Sequence, residues 1–170
     1  WLDSRKIEIK IYFFMKKIEK IKTFNFHTGK DLLDHLKEKK IIFSPWIENI
    51  LYKKKFNKKN FLPVQLVLIN LKKDLGVKKT LYLRDVYKIL KTKNLKLLKP
   101  EIALYATTKI KIKKKGTWHR FATPLNSMVD SDGISHLPKI GYALNCYFVE
   151  TYWSYPKAVF HPHNSFIVCQ

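Results

Sequence analysis

Asp130-Ser131-Asp132-Gly133 sets two carboxylates two residues apart ahead of a glycine, an opening that resembles a calcium loop. An EF-hand register would then need glycine at its sixth position and glutamate at its twelfth, where this chain has Ser135 and Gly141. A Ser/Asp/Gly turn between strands is therefore the better reading. Joined by Glu101, the two aspartates have the chemistry for a divalent metal or an acid/base pair, but nothing in the spacing requires either. His161-Pro162-His163 lies in the same third of the chain as Cys146 and Cys169. Zinc sites usually present two ligand pairs, each two to four residues apart, and this one pair has a single-residue gap. The chain has no Gly-x-Ser-x-Gly elbow, no His-Glu-x-x-His and no cysteine in a recognisable catalytic setting. Its five glycines, Gly29, Gly76, Gly116, Gly133 and Gly141, are too dispersed for a phosphate-cradling loop. No catalytic residue, metal or cofactor is expected, and the expectation leans away from an enzyme.

Basic residues are the larger signal. Of 170 residues, 34 are Lys or Arg and 13 are Asp or Glu, a net charge of +21. Residues 1–120 hold 32 of the bases and 10 of the acids, and residues 121–170 hold two and three, so the excess lies in the front two-thirds. Such a balance points to a polyanion. Only Arg5, Arg84 and Arg120 are arginines; lysines act as point charges on phosphates, which predicts salt-sensitive, weakly sequence-selective binding. Abundant Lys, Ile, Asn and Phe with few Ala and Gly is also the usage an AT-rich genome imposes, which competes with a functional reading of the charge.

Two segments concentrate the candidate contacts. Residues 52–60 carry Lys53, Lys54, Lys55, Lys58 and Lys59 with little that could pack. Lys109, Lys111 and Lys113 alternate with Ile110 and Ile112, followed by Trp118, His119, Arg120 and Phe121. A basic sheet face with stacking rings is a common way to hold single strands, and Trp118 and Arg120 join the lysines as candidate contacts. The competing reading fills the core with Trp118 and Phe121.

Several elements must position these groups. Thr28 with Asp31 caps a helix running to about Lys40 that carries Leu32, Leu33 and Leu36. Ser44-Pro45 starts a short second helix with Ile47, Ile50 and Leu51 on one side. Residues 62–71 read as a buried strand and the charged stretch up to Gly76 as a turn. Thr80 caps a third helix bearing Leu83, Val86, Tyr87 and Leu90, with Asn94 as its stop and Pro100 closing the linker. Residues 102–123 read as a β-hairpin turning at Lys115-Gly116, residues 142–153 as one strand and residues 165–169 as the last.

Helices first and strands later predict an α+β fold, with helices packed on a mainly antiparallel sheet formed largely by the C-terminal half. Residues 26–170 are expected to form one domain, preceded by a basic extension over residues 1–25. Within it, residues 1–14 read as upstream of a start at Met15. The longest uncharged runs, residues 60–71 and 158–170, are 12 and 13 residues, short of a bilayer span. No signal peptide is legible, and a cytoplasmic location is expected.

Thr28-Gly29-Lys30 with Trp46, Leu75-Gly76, Thr80 with Val86-Tyr87, Pro100-Glu101, Gly116-Thr117-Trp118 and Asp130-Ser131-Asp132-Gly133 follow one another in an order that resembles a family of short, uncharacterised bacterial proteins. The resemblance covers residues 26–166. It departs at Thr107, where the family pattern has arginine, and in a longer loop at residues 126–129. It implies a single small domain and supplies no catalytic residue. The partner expected from the residues is nucleic acid, held by its phosphates; the alternative is a protein partner met by the apolar sheet and aromatics such as Trp153 and Tyr155. No membrane partner is expected.

Overall fold

The computed structural model describes residues 15–56 and 62–170. Helices α1 (Gly29–Glu38), α2 (Pro45–Leu51), α3 (Leu71–Leu75), α4 (Leu83–Thr92) and α5 (Pro100–Ala106) pack against a seven-stranded sheet. Its strands are β1 (Lys16–Ile21), β2 (Ile42–Phe43), β3 (Val64–Asn70), β5 (His119–Phe121), β6 (His136–Ala143), β7 (Cys146–Trp153) and β9 (Ser165–Cys169), in the order β1-β3-β9-β5-β6-β7-β2. The β5–β9 and β2–β7 pairs are parallel and the others antiparallel. Strands β4 (Leu81–Tyr82) and β8 (Val159–Phe160) form a separate two-stranded ribbon. This is the expected α+β architecture.

Alternation along the strands divides the core in two. Val67, Ile69, Phe166, Val168, Ala122 and Leu137 face α4, whose Leu83, Val86 and Leu90 are buried against them. Leu66, Ile167, Phe121 and Ile140 face the other way, onto Ile102, Ala103 and Ala106 of α5. Further along that face, α1 and α2 close over Val149.

Local chemistry accounts for several boundaries. The Thr28 Oγ1 accepts from the Asp31 amide and an Asp31 carboxylate oxygen accepts from the Thr28 amide, each at 3.2 Å, a closed capping box. A Cβ at Gly29 would lie 1.7 Å from the Leu51 carbonyl oxygen, so only glycine lets α1 start against the end of α2. Leu144 and Asn145 both have positive φ, the backbone a two-residue hairpin needs, and they turn β6 into β7.

Several expected elements differ. Residues 102–123 do not form a hairpin: the first part is α5, residues 110–114 run without regular structure, and β5 pairs with the distant β6 and β9. The Ile/Lys alternation is that of an extended strap laid on the α5 core, with Ile110 2% exposed and the lysines outside. Pro100 opens a helix at its first position instead of closing a linker. The single strand expected over residues 142–153 is part of a hairpin, Thr80 is not a cap because α4 starts only after Tyr82, and the charged turn holds the short helix α3. Residues 16–21, within the stretch read as an extension, are an edge strand whose Ile21 is buried. Among the described residues, no helix is long and apolar enough to cross a membrane.

Candidate anion-binding cleft and basic sheet surface

The richest concentration of uncommitted polar chemistry sits where β3 ends and β5 and β9 begin. His119 of β5 is in register with Ser165 of β9, Ser165 with Asn70 of β3, and Leu68 of β3 with Lys16 of β1. These residues form the floor of a cleft of about 780 Å³. Ile112, Lys114, Gly116, Thr117 and Trp118 make one wall, and Lys73 and Asp74 of α3 and His163 make another. Arg120 borders the same space.

Its charge is lopsided. Among the described residues, Lys16, Lys73 and Lys114 face the cleft, with Arg120 at its border, against one carboxylate, Asp74, whose Oδ2 already accepts from the Asn70 amide at 2.7 Å. His119 is 6% exposed, and neither ring nitrogen has a hydrogen-bond partner among the described residues; nor does Nε of Arg120. Burial, followed by the charges of Lys114, Arg120 and Lys16, pushes the His119 pKa down to about 4. The ring is therefore neutral at pH 7, with one donor and one acceptor idle. Leaving such a group without a partner costs on the order of 1–3 kcal/mol, which an anion or water entering the cleft would offset.

Trp118 and Arg120 project from β5 onto the α4 side, opposite to His119. A Cβ at Gly141 would fall 2.9 Å from the Trp118 ring, so glycine opens the bed on which the indole lies. Lys139 Nζ sits 4.7 Å from the centre of that ring and the Arg120 guanidinium 5.6 Å from that of Tyr152. Cations over ring faces are held without a counter-ion. Burial is the main cause lowering the pKa of both Lys139 and Arg120; Arg120 lowers Lys139 further, while Glu150 opposes that shift.

The remaining expected contacts separate by environment. Lys109, Lys111 and Lys113 are exposed on the strap leading to the cleft. Lys53 and Lys55 are exposed beyond α2, on a different part of the surface. Lys54 is turned inward: its Nζ donates to the Ser127 carbonyl at 2.7 Å, and burial lowers its pKa, with Glu101 opposing. It holds the fold and is not displayed to a ligand. Lys58 and Lys59 lie outside the described residues.

The Asp-Ser-Asp-Gly segment is a turn, anchored by a buried relay. Asp130 Oδ1 accepts from the Asp132 and Ile134 amides at 2.8 and 2.9 Å. Its Oδ2 lies 2.7 Å from His136 Nε2, and His136 Nδ1 lies 3.0 Å from Thr151 Oγ1. A carboxylate can only accept, so Nε2 donates to it and, in the neutral ring, Nδ1 accepts from the threonine hydroxyl. The His136 bond, ahead of the two backbone amides, holds the Asp130 carboxyl below its ordinary value. Both imidazole nitrogens are committed and the ring stacks on Trp46 at 5.5 Å, so the relay ties the turn to β6 and β7 and has no nitrogen to offer a substrate.

Cys146 and Cys169 are both free thiols, and burial pushes Cys169 up to about 11, a poor nucleophile. Among the described residues no group of three or more His, Cys, Asp or Glu side chains could hold a metal ion. Lys16, Asn70, Lys73, Lys114, His119 and Lys139 were not legible as site residues. The nearest signal was the Trp118–Phe121 block, which marks β5 but not what faces it. No family model, curated protein or solved structure matches this chain.

Proposed function

We propose that this small basic domain is a cytoplasmic nucleic-acid-binding module that grips phosphates through lysines and stacks bases on the β5 surface. The observation that carries the reading is the juxtaposition of the half-buried Trp118, Arg120 and Lys139 on β5 and β6 with the exposed Lys109, Lys111 and Lys113 on the adjoining strap. Rings supply sequence-tolerant stacking and lysines supply salt-dependent attraction, the combination that single-strand binders use. Because those cations are dominated by lysine, discrimination between base sequences should be weak. Binding of single- and double-stranded RNA and DNA at about 50 and 200 mM salt tests the proposal. It expects affinity to fall steeply with salt, and replacing both Lys111 and Lys113 by Gln to reduce the salt slope by about 2. Affinity that is weak and flat across that range contradicts it and leaves the charge to codon usage.

A second reading rests on a separate observation. Trp46, Trp153 and Tyr155 are 46%, 52% and 42% exposed, and the last two rings stack at 5.9 Å. Exposed aromatics of this kind suit a protein partner, and the lysines would then be solubilising.

A further inference from the structure

We infer that the cleft over His119 is a pocket for a phosphate monoester, either the terminal phosphate of an oligonucleotide or that of a free mononucleotide. The inference rests on the nucleic-acid reading only for the oligonucleotide as the source; the pocket itself stands on its own geometry.

Three observations converge. First, the floor is built: His119 is 6% exposed, sits in a three-strand register with Ser165 and Asn70, and holds two buried ring nitrogens with no partner among the described residues. A ring held so deep cannot reach a strand running across the surface, whereas the end of a strand can enter a cleft of about 780 Å³, which is large enough for a nucleotide. Second, the charge suits a dianion. Lys16 from β1, Lys73 from α3 and Lys114 from the strap line it, Arg120 adds its charge from the border, and the one carboxylate on the lining among the described residues, Asp74, is engaged by the Asn70 amide. A monoester near neutral pH carries up to two charges and three acceptor oxygens, against one charge for a diester. Third, the protein leaves His119 neutral, so the pocket does not bind by a permanent imidazolium; an entering dianion favours proton uptake by the ring, which then donates to it from one nitrogen. Burial and the charges of Lys114, Arg120 and Lys16 set this balance; Lys73, Asp74 and His163 are the other charged or titratable groups on the cleft lining.

The test uses the full chain. Adenosine 5′-monophosphate and adenosine are titrated by calorimetry while the His119 imidazole resonances are followed. The affinity of one RNA decamer is then compared with a 5′-phosphate, a 3′-phosphate or neither. The expected result is a downfield shift of His119 with the monophosphate and not with adenosine, and about tenfold tighter binding of a phosphorylated end, the scale of one charge-assisted contact. His119→Gln and Lys114→Ala should each abolish most of that difference; Lys114 is exposed, so its variant stays informative if His119→Gln does not fold. If the decamers bind with salt-steep affinity but indifferently to the end group, and the monophosphate leaves His119 unmoved, the inference fails and the nucleic-acid reading stands. If the monophosphate binds and shifts His119 while no decamer binds, the inference holds with a mononucleotide as ligand and the nucleic-acid reading fails. If no probe binds, both fail.

Discussion

Neutrality of the His119 ring has a thermodynamic cost that a pH titration of stability can read. In the unfolded chain the imidazole takes its proton near pH 6.5, whereas burial and the neighbouring Lys114, Arg120 and Lys16 hold the folded value at about 4. Above pH 7 both states are neutral and the difference contributes nothing. As pH falls through 6.5 the unfolded state gains a proton that the folded state refuses, so stability is lost between about pH 6.5 and 4 and changes no further below that. The gap, at about 1.4 kcal/mol per pH unit, amounts to roughly 2.5 kcal/mol by pH 4.5, and water at the cleft mouth screens the ammonium groups enough to bring it to about 2 kcal/mol. His119→Gln removes the titration and keeps a polar side chain. Urea unfolding of both proteins at pH 7.5 and 4.5 should show the wild type losing about 2 kcal/mol more than the variant, all other carboxylates and histidines cancelling in the double difference. Equal losses in the two proteins would refute the assignment of a neutral, desolvated His119.

Replacing Trp118 by Ala should weaken single-stranded RNA by about 1–3 kcal/mol with little change in melting temperature, checked by fluorescence anisotropy and calorimetry. Lys54→Ala should do the reverse, losing about 1–3 kcal/mol of stability in urea because the Ser127 carbonyl is left without its donor, at unchanged RNA affinity. Gly29→Ala places a methyl into the Leu51 carbonyl and should cost about 1–3 kcal/mol or more, read as a lowered thermal midpoint. The Asp130 carboxyl, held below its ordinary value by His136, contributes stability above about pH 4 that is lost as pH falls further; in Thr151→Val, which weakens the relay, acid unfolding should begin at higher pH.

The parts of the fold legible in the sequence are those whose signals are local. Thr28 and Asp31 close their capping box within one turn, and Leu32, Leu33 and Leu36 announce which side of α1 is buried, so that helix and β9 come out close to expectation. What failed was pairing. Ile110 and Ile112 alternate with lysines as a strand does, but a strand needs a neighbour, and the neighbours of β5 lie at residues 139–140 and 165–167. The same limit hid the cleft. Trp118 and Arg120 could be suspected from a basic, aromatic block, whereas His119 becomes a candidate only once Ser165, Asn70 and Lys16 are brought to it by three separate strand registers. Lys54 stood among lysines of identical type, and only its reach to the Ser127 carbonyl distinguishes it from Lys53 and Lys55.

The place of β9 has a consequence for how the chain reaches this state. It lies between β3 and β5, so the β1–β3 pair on one side and the β6–β7 hairpin on the other are joined into one sheet only through Ser165–Cys169. A ribosome delivers those five residues after every other strand, and until they arrive β3 and β5 each expose an unpaired row of backbone donors and acceptors beside apolar side chains. Contacts spanning that much sequence close slowly. The nascent chain therefore passes through an interval in which two half-sheets with sticky margins coexist, and its hazard during synthesis is self-association through those margins.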